Sequence, residues 1–144
     1  MTDAHLILGL TLIGLNLLAG VWGGVAWLRQ HPSTGFWYAL RAAQAAVAGQ
    51  AILGLVLMAG GREPSDGLHI VYGLAPLLVT LLAEAARAGA AERELEGVDF
   101  EALGEDRQRL VALAIVRRET GIMAVSALVI VALALRAALT SAAF

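Results

Sequence analysis

Two histidines of this 144-residue chain stand where they could bind a metal ion or a haem together. His5 begins the first long apolar segment, and His69 begins the third. If the segments form an up-down helix bundle, the first and third helices run in the same direction and face each other diagonally. The positive end of a helix dipole favours the neutral imidazole, which is the form that binds metal. We therefore expect His5 and His69 to be the axial ligands of a haem iron or half of another metal site.

Three further residues at this end could hold a haem whose iron the histidines bind. Arg62 and Arg136 could neutralise its propionates, and Tyr72, one turn beyond the second histidine, could form a hydrogen bond to its edge. The alternative is that each histidine is a simple polar end group at a membrane interface. His31 lies at the opposite end of the first segment and is expected on the surface.

A second group of polar residues lies deeper in the apolar segments. Asn16 is on the first segment, and Gln44 and Gln50 are on the second. A polar group in a bilayer needs a hydrogen-bond partner, so bonds between helices are the simplest explanation. The alternative is that Asn16, Gln44 or Gln50 holds a quinone or another small polar ligand. Arg41 and Glu84 lie at a similar depth and could form an ion pair.

Composition indicates that water is not the solvent of these segments. Apolar residues make up 59% of the chain and charged residues 15%, whereas soluble domains are about half apolar and about a quarter charged. Cysteine is absent, which excludes disulfides, thiolate metal sites and cysteine nucleophiles. The net charge of −2 argues against nucleic acid as a partner, because binding it requires a concentrated basic face. No catalytic motif is recognisable, so enzyme activity is left open.

Four segments are long enough to cross a bilayer as helices, since its core needs about 20 apolar residues. They cover approximately residues 5–28, 36–60, 67–88 and 120–143, with a polar connection at 89–119. Ser33 or Thr34 can cap the second helix, and a turn at 61–66 leads to the third. The period-two alternation of a membrane β-barrel is missing. The sequence thus predicts an all-α polytopic membrane protein, a single domain over 1–144 built as an up-down four-helix bundle.

The distribution of the ten arginines predicts the orientation. Arg62 and Arg136 lie at the end that holds both termini, and the other eight lie at or between the opposite helix ends. The positive-inside rule puts those eight in the cytoplasm and both termini outside. The stretch 90–109, in which Glu and Arg alternate, is expected to form a short cytoplasmic helical hairpin or a helix on the membrane surface. All ten Lys and Arg positions are arginine, and alanine is abundant. This composition favours a bacterial protein and hence the bacterial inner membrane.

Small residues indicate where helices come close. Gly20 and Gly24 form a GxxxG pair, which predicts a contact within the bundle or between copies. The helix number and the two outer histidines are similar to those of bundle cytochromes and of one half of haem A synthase. No local ligand motif of these families surrounds His5 or His69, so the sequence assigns no family.

Two functions remain open on the sequence. The first is a small electron-transfer or haem-handling protein that binds haem b or a quinone between its helices. The second is a non-catalytic accessory or assembly subunit of a larger membrane complex, whose partners would be membrane lipid, further copies of the chain or other subunits.

Overall fold

The chain folds into four long α-helices in the computed structural model, which describes residues 3–62 and 67–142. They are α1 (Asp3–Leu28), α2 (Thr34–Ala59), α3 (Gly67–Leu95) and α4 (Glu105–Ala142). Within the described ranges there is no β-strand, and each of the four helices is long and apolar enough to cross a membrane. The prediction of an all-α chain with four potential membrane spans is therefore confirmed.

Local signals set the helix ends. Ser33 is the N-cap of α2, and its hydroxyl accepts a hydrogen bond from the Phe36 amide at 3.3 Å, as predicted. Gln30, with a φ of 55°, ends the first helical segment, and Gly61, with a φ of 81°, follows the second. Residues 63–66 of the predicted 61–66 turn lie outside the described residues, as does residue 143 at the end of the predicted fourth span.

Within the polar connection predicted at 89–119, only residues 96–104 lie outside the helices. The α3 helix continues to Leu95, and α4 already begins at Glu105. Glu, Arg and Ala are good helix formers, so the apolar span ends there without ending the helix. The Arg118–Glu94 ion pair, at 2.7 Å, joins the two extensions. Residues 89–118 therefore form a helical hairpin, the alternative predicted for this stretch, called the hairpin below.

The helices pack in an open arrangement. The α1 helix packs against α2 and α4, and α3 packs against α4, whereas α2 and α3 touch much less. The helices α1 and α3 are therefore diagonal to each other. Gly20 faces Leu128 and Trp27 faces Gly121, so the contacts along α1 and α4 run in opposite sequence directions.

Close approach of α1 to its neighbours depends on Gly20 and Gly23. A Cβ atom added at Gly20 would lie 2.6 Å from Leu128 Cδ2, and one added at Gly23 would overlap the Phe36 ring. No described atom lies within 4 Å of a Cβ added at Gly24. Within the bundle, the close contact is therefore made by Gly20 and Gly23, and Gly24 takes no part in it.

The outer surface of the bundle is apolar. Large aliphatic side chains on every helix are more than a third exposed, while most of the buried hydrophobic residues are alanine, with Phe36, Leu40 and Met123 as the largest buried apolar side chains. A water-soluble domain rarely exposes such large continuous apolar patches. Small residues inside and large ones outside are typical of helices whose outer faces contact lipid.

Candidate ligand-binding site at the histidine end

A cavity of about 670 Å³ lies at the end of the bundle where α1 and α3 begin. All four helices contribute to its wall, and its polar lining residues are His5, Gln50, Arg62, His69 and Tyr72. Small-molecule and cofactor sites have volumes of roughly 300–1,000 Å³. Five of the seven residues predicted to bind a cofactor therefore line one cavity of suitable size, called the histidine cavity below.

The imidazole rings of His5 and His69 are neighbours in this cavity. Their centroids are 6.1 Å apart, and their planes are inclined at 51°. Each ring stands in the first turn of its helix, and the two helices are the diagonal pair. Two imidazoles on opposite sides of one metal ion, with nitrogen–metal bonds of about 2 Å, have centroids roughly 6 Å apart. The observed spacing fits one shared metal ion.

His69 is oriented by the backbone of α4. Its Nδ1 atom lies 3.2 Å from the carbonyl oxygen of Ala137. Because a carbonyl can only accept a hydrogen bond, Nδ1 is the donor, and in the neutral ring the lone pair is on Nε2. Histidines that bind metals are commonly held in this way by a carbonyl on the other ring nitrogen.

His5 contacts α2 through Gln50. The Gln50 Nε2 atom lies 3.2 Å from both the Nε2 atom and the carbonyl oxygen of His5. The carbonyl can only accept, so the amide nitrogen must face it, which fixes the orientation of the Gln50 amide. A metal bound by His5 Nε2 would replace one of these contacts and could leave the other in place. The Gln50 Oε1 atom is buried, and none of the described residues donates a hydrogen bond to it.

Two arginines add positive charge to this end of the bundle. Arg62 is exposed just beyond α2 and lines the cavity. Arg136 does not line it, but its guanidinium lies 5.8 Å from the centre of the Tyr72 ring, which does. An anionic group at the edge of the cavity would therefore find a guanidinium nearby.

Of the three residues offered as alternatives for holding a small polar ligand, Gln50 lines the cavity, and Asn16 and Gln44 do not. The Asn16 side chain is 1% exposed, and its amide donates to the Leu12 carbonyl one turn earlier at 2.9 Å. Gln44 belongs to a polar cluster at the opposite end. Gln50 differs because the packing of α1 on α2 sets it beside the first turns of α1, next to His5.

A cluster of ion pairs, called the Glu84 cluster below, joins α2, α3 and α4 at the arginine-rich end. Glu84 accepts hydrogen bonds from Arg41 at 2.5 Å, Gln44 at 2.8 Å and Arg87 at 2.9 Å. Arg87 also lies 3.6 Å from Glu119. The predicted Arg41–Glu84 pair is confirmed. The sequence-based expectations lack Arg87 and Glu119, although the spacing of Glu84 and Arg87 on one helix is a signal for such a pair.

The number of metal-binding side chains at the histidine cavity limits which metal ions or metal-containing cofactors it can hold. Among the described residues, no group of three or more His, Asp or Glu side chains could hold a metal ion. Structural and catalytic zinc sites use at least three protein ligands. A haem brings its own ring of nitrogen ligands and takes only axial ligands from the protein, so two histidines are sufficient for it.

The fold and the site together define the class of protein: a four-helix bundle able to span a membrane, with two histidines facing a cavity at one end. No protein-family model, curated protein or solved structure matches the chain.

Proposed function

We propose that the chain is a bacterial inner-membrane protein that binds haem b between His5 and His69 and acts in electron transfer or haem handling. The observation that carries this proposal is the 6.1 Å spacing of the two imidazoles at the wall of the histidine cavity. Two axial histidines complete the coordination of a haem iron. The bound haem would supply one-electron redox chemistry.

Each residue at the cavity has a role in this proposal. His69, held by the Ala137 carbonyl, would bind the iron through Nε2. His5 would bind from the other side, with the Gln50 amide moving off its Nε2 and keeping the bond to its carbonyl. Arg62 would be the partner of a propionate.

The proposed protein crosses the bilayer four times, with both termini outside and the hairpin in the cytoplasm. The support is the apolar outer surface of the helices together with the positive-inside rule, since eight of the ten arginines are at the hairpin end or between the helices there. A tag fused after residue 144 should react with a membrane-impermeant reagent in intact spheroplasts. Protection of the tag until the membrane is broken would reverse the orientation.

Absorbance spectroscopy of the purified protein tests the haem site. In detergent, after expression with a haem precursor, we expect a Soret band and the spectrum of a low-spin haem with two nitrogen axial ligands. His5→Ala and His69→Ala should each abolish the low-spin spectrum, because each removes one axial ligand. His31→Ala is the matched control, since His31 is exposed in the turn after α1. Identical spectra for all three variants, or a colourless wild-type protein under these conditions, would contradict the haem site.

A second candidate function is that of an accessory or assembly subunit. It is favoured by the hairpin tip, where Val98 and Phe100 are partly exposed among charged residues and Leu110 is two-thirds exposed. Apolar side chains on an otherwise polar surface are common where a protein partner binds. This function predicts a colourless protein that copurifies with defined subunits at a fixed stoichiometry, and loses them in Phe100→Ser but not in Tyr38→Ser, which alters an exposed aromatic outside the hairpin.

A further inference from the structure

We infer that the bundle binds one anionic phospholipid near the hairpin, with an acyl chain in a groove beside α4 and the phosphate next to Arg118. The inference concerns a different region from the histidine cavity and holds whether or not haem binds there. It rests on the proposed insertion into a bilayer, and it is carried by the lining, the length and the charge of the groove.

An open groove of about 620 Å³, called the lipid groove below, is lined by side chains of α1, α3 and α4. Apart from Arg118 and Ser126, its lining residues are small, aliphatic or aromatic. The Ser126 hydroxyl donates to the Met123 carbonyl of its own helix at 2.8 Å, so it needs no polar partner in the groove. Leu82 and Val125 line the groove and are 61% and 53% exposed. The groove therefore faces the surroundings of the bundle, which in a bilayer are acyl chains.

The lipid groove has the depth of one leaflet. On α4 its lining residues run from Arg118 to Val129, which at 1.5 Å per residue is about 16 Å of helix. Half of the bilayer core is about 15 Å thick. The 3.6 Å contact between Arg87 and Glu119 places the hairpin ends of the α3 and α4 spans at one level. An acyl chain that reaches from the membrane surface to the middle of the core therefore matches the groove in length.

Arg118 places a positive charge at the surface end of the lipid groove. Its Nη1 atom lies 2.7 Å from Glu94 Oε1, and its side chain is 48% exposed. A guanidinium has five N–H donors, so one bond to a carboxylate leaves donors for a phosphate. The neighbouring Arg117 is exposed and takes part in no ion pair among the described residues. In the proposed orientation this end meets the cytoplasmic leaflet, where anionic lipids attract arginines.

Trp27 stands at the same end of the lipid groove. A Cβ atom added at Gly121 would lie 2.9 Å from Trp27 Nε1, so the missing side chain lets the indole ring lie against α4. Gly121 follows Arg118 by three residues, which places the two on one face of the helix. Tryptophan is enriched at the level of the lipid headgroups. The ring therefore lies where it would contact the upper part of a bound acyl chain.

The test measures the quenching of Trp27 fluorescence by brominated phospholipids in nanodiscs. The double variant Trp22→Phe/Trp37→Phe leaves Trp27 as the only tryptophan of the chain. We expect brominated phosphatidylglycerol to reach half-maximal quenching at an about fivefold lower mole fraction than brominated phosphatidylcholine, which is the contribution of one arginine near a membrane surface. Native mass spectrometry of the wild-type protein should show one retained phosphatidylglycerol, and it replaces the quenching experiment if the double variant does not fold.

Two variants of one ion pair test the charge. Arg118→Gln should remove the preference for phosphatidylglycerol, because it removes the guanidinium. Glu94→Gln should keep or increase the preference, because it releases the same guanidinium from its carboxylate. Both variants break the Arg118–Glu94 pair, so a purely structural role of that pair would give them the same result.

A second pair of variants tests the shape. Ala86 is exposed and lines the lipid groove, so Ala86→Phe would fill it and should weaken quenching by both lipids. Ala85→Phe is the control, since Ala85 is exposed and does not line the groove. It should leave both quenching curves unchanged.

Each unfavourable outcome refutes a stated part of the inference. Equal quenching by the two lipids would refute the recognition of an anionic headgroup. Weak quenching by both would show that a second copy or another protein covers the groove, which would refute the lipid as its occupant. A chain that stays soluble without detergent or lipid would refute the insertion on which the site rests. None of these results alters the Soret band, so the haem site is tested separately.

Discussion

The two ends of the bundle differ in how completely their polar side chains are hydrogen-bonded. At the arginine-rich end, both carboxylate oxygens of Glu84 accept hydrogen bonds from neighbouring side chains. At the other end, His5 and His69 border a cavity, and the buried Gln50 Oε1 has no donor among the described residues. Buried polar groups are nearly always satisfied in folded proteins, and exceptions call for an explanation such as a ligand. The comparison supports a stabilising role for the first end and agrees with the ligand site proposed for the second.

Filling the cavity should have the largest effect on binding. Gly73 lines the cavity, and no described atom lies within 4 Å of a Cβ atom added there. Gly73→Phe should abolish the Soret band without lowering the unfolding temperature, because the ring occupies free space. Gly14→Phe is the control, since a Cβ added at Gly14 is equally unobstructed and this exposed position does not line the cavity. Normal haem binding by Gly73→Phe would place the site elsewhere.

Removing Glu84 should have the largest effect on stability. Glu84→Ala leaves Arg41 and Arg87 without their shared carboxylate, and we expect a loss of about 2 kcal/mol. The loss is smaller than for a fully buried pair because the Glu84 side chain is 28% exposed. Unfolding in mixed detergents, followed by circular dichroism, measures it.

The control for this experiment is the ion pair of the hairpin. Glu94 has one arginine partner among the described residues, Arg118, which is about half exposed, so Glu94→Ala should cost less than about 1 kcal/mol. The haem spectrum should remain unchanged in both variants, since neither residue touches the histidine cavity. Equal losses of stability would show that the Glu84 cluster is no stronger than an ordinary surface ion pair.

The two neighbouring glycines of α1 should respond to alanine with opposite signs. Gly23→Ala would push against Phe36 and Ala124, so we expect a destabilisation of about 1–2 kcal/mol. Gly24→Ala meets no described atom and should stabilise the helix by up to about 1 kcal/mol. The same detergent unfolding experiment compares them. Destabilisation by Gly24→Ala instead would indicate a contact with a second copy of the chain.

The smallest effect is expected at Asn16. Its amide donates to the Leu12 carbonyl of its own helix and lies away from the cavity. Asn16→Leu, which has the same number and branching of side-chain heavy atoms, should therefore leave the haem titration unchanged. A weakened haem affinity would show that Asn16 contributes to the ligand site.

Hydropathy predicts the four spans because lipid requires long apolar helices, and here the charged residues collect outside them. Hydropathy does not locate the helix ends within residues 89–119, where α3 continues to Leu95 and α4 begins at Glu105. A run of Glu, Arg and Ala is polar, yet it forms helix as readily as leucine does. Low hydropathy therefore predicts where the apolar span ends and says little about where the helix ends.

The site could be predicted in part. The positions of His5 and His69 at the starts of the first and third segments are enough to suggest that they meet. Gln50 is a candidate from the sequence, but its contact with His5 could not be predicted. That contact depends on the register of α1 on α2, where a Cβ added at Gly9 would lie 3.2 Å from Gln50 Nε2. The bond from His69 to Ala137 likewise depends on the register of α4, which no local pattern specifies.

The α4 helix is long enough to connect the hairpin directly with the histidine end of the bundle. This helix has 38 residues, so it extends about 57 Å, nearly twice the roughly 30 Å thickness of a bilayer core. No proline interrupts it, and it is one continuous α-helix from Glu105 to Ala142. One end belongs to the hairpin, and the other carries the carbonyl that orients His69. A partner that shifts the hairpin along its axis would also shift the support of that imidazole on the far side of the membrane.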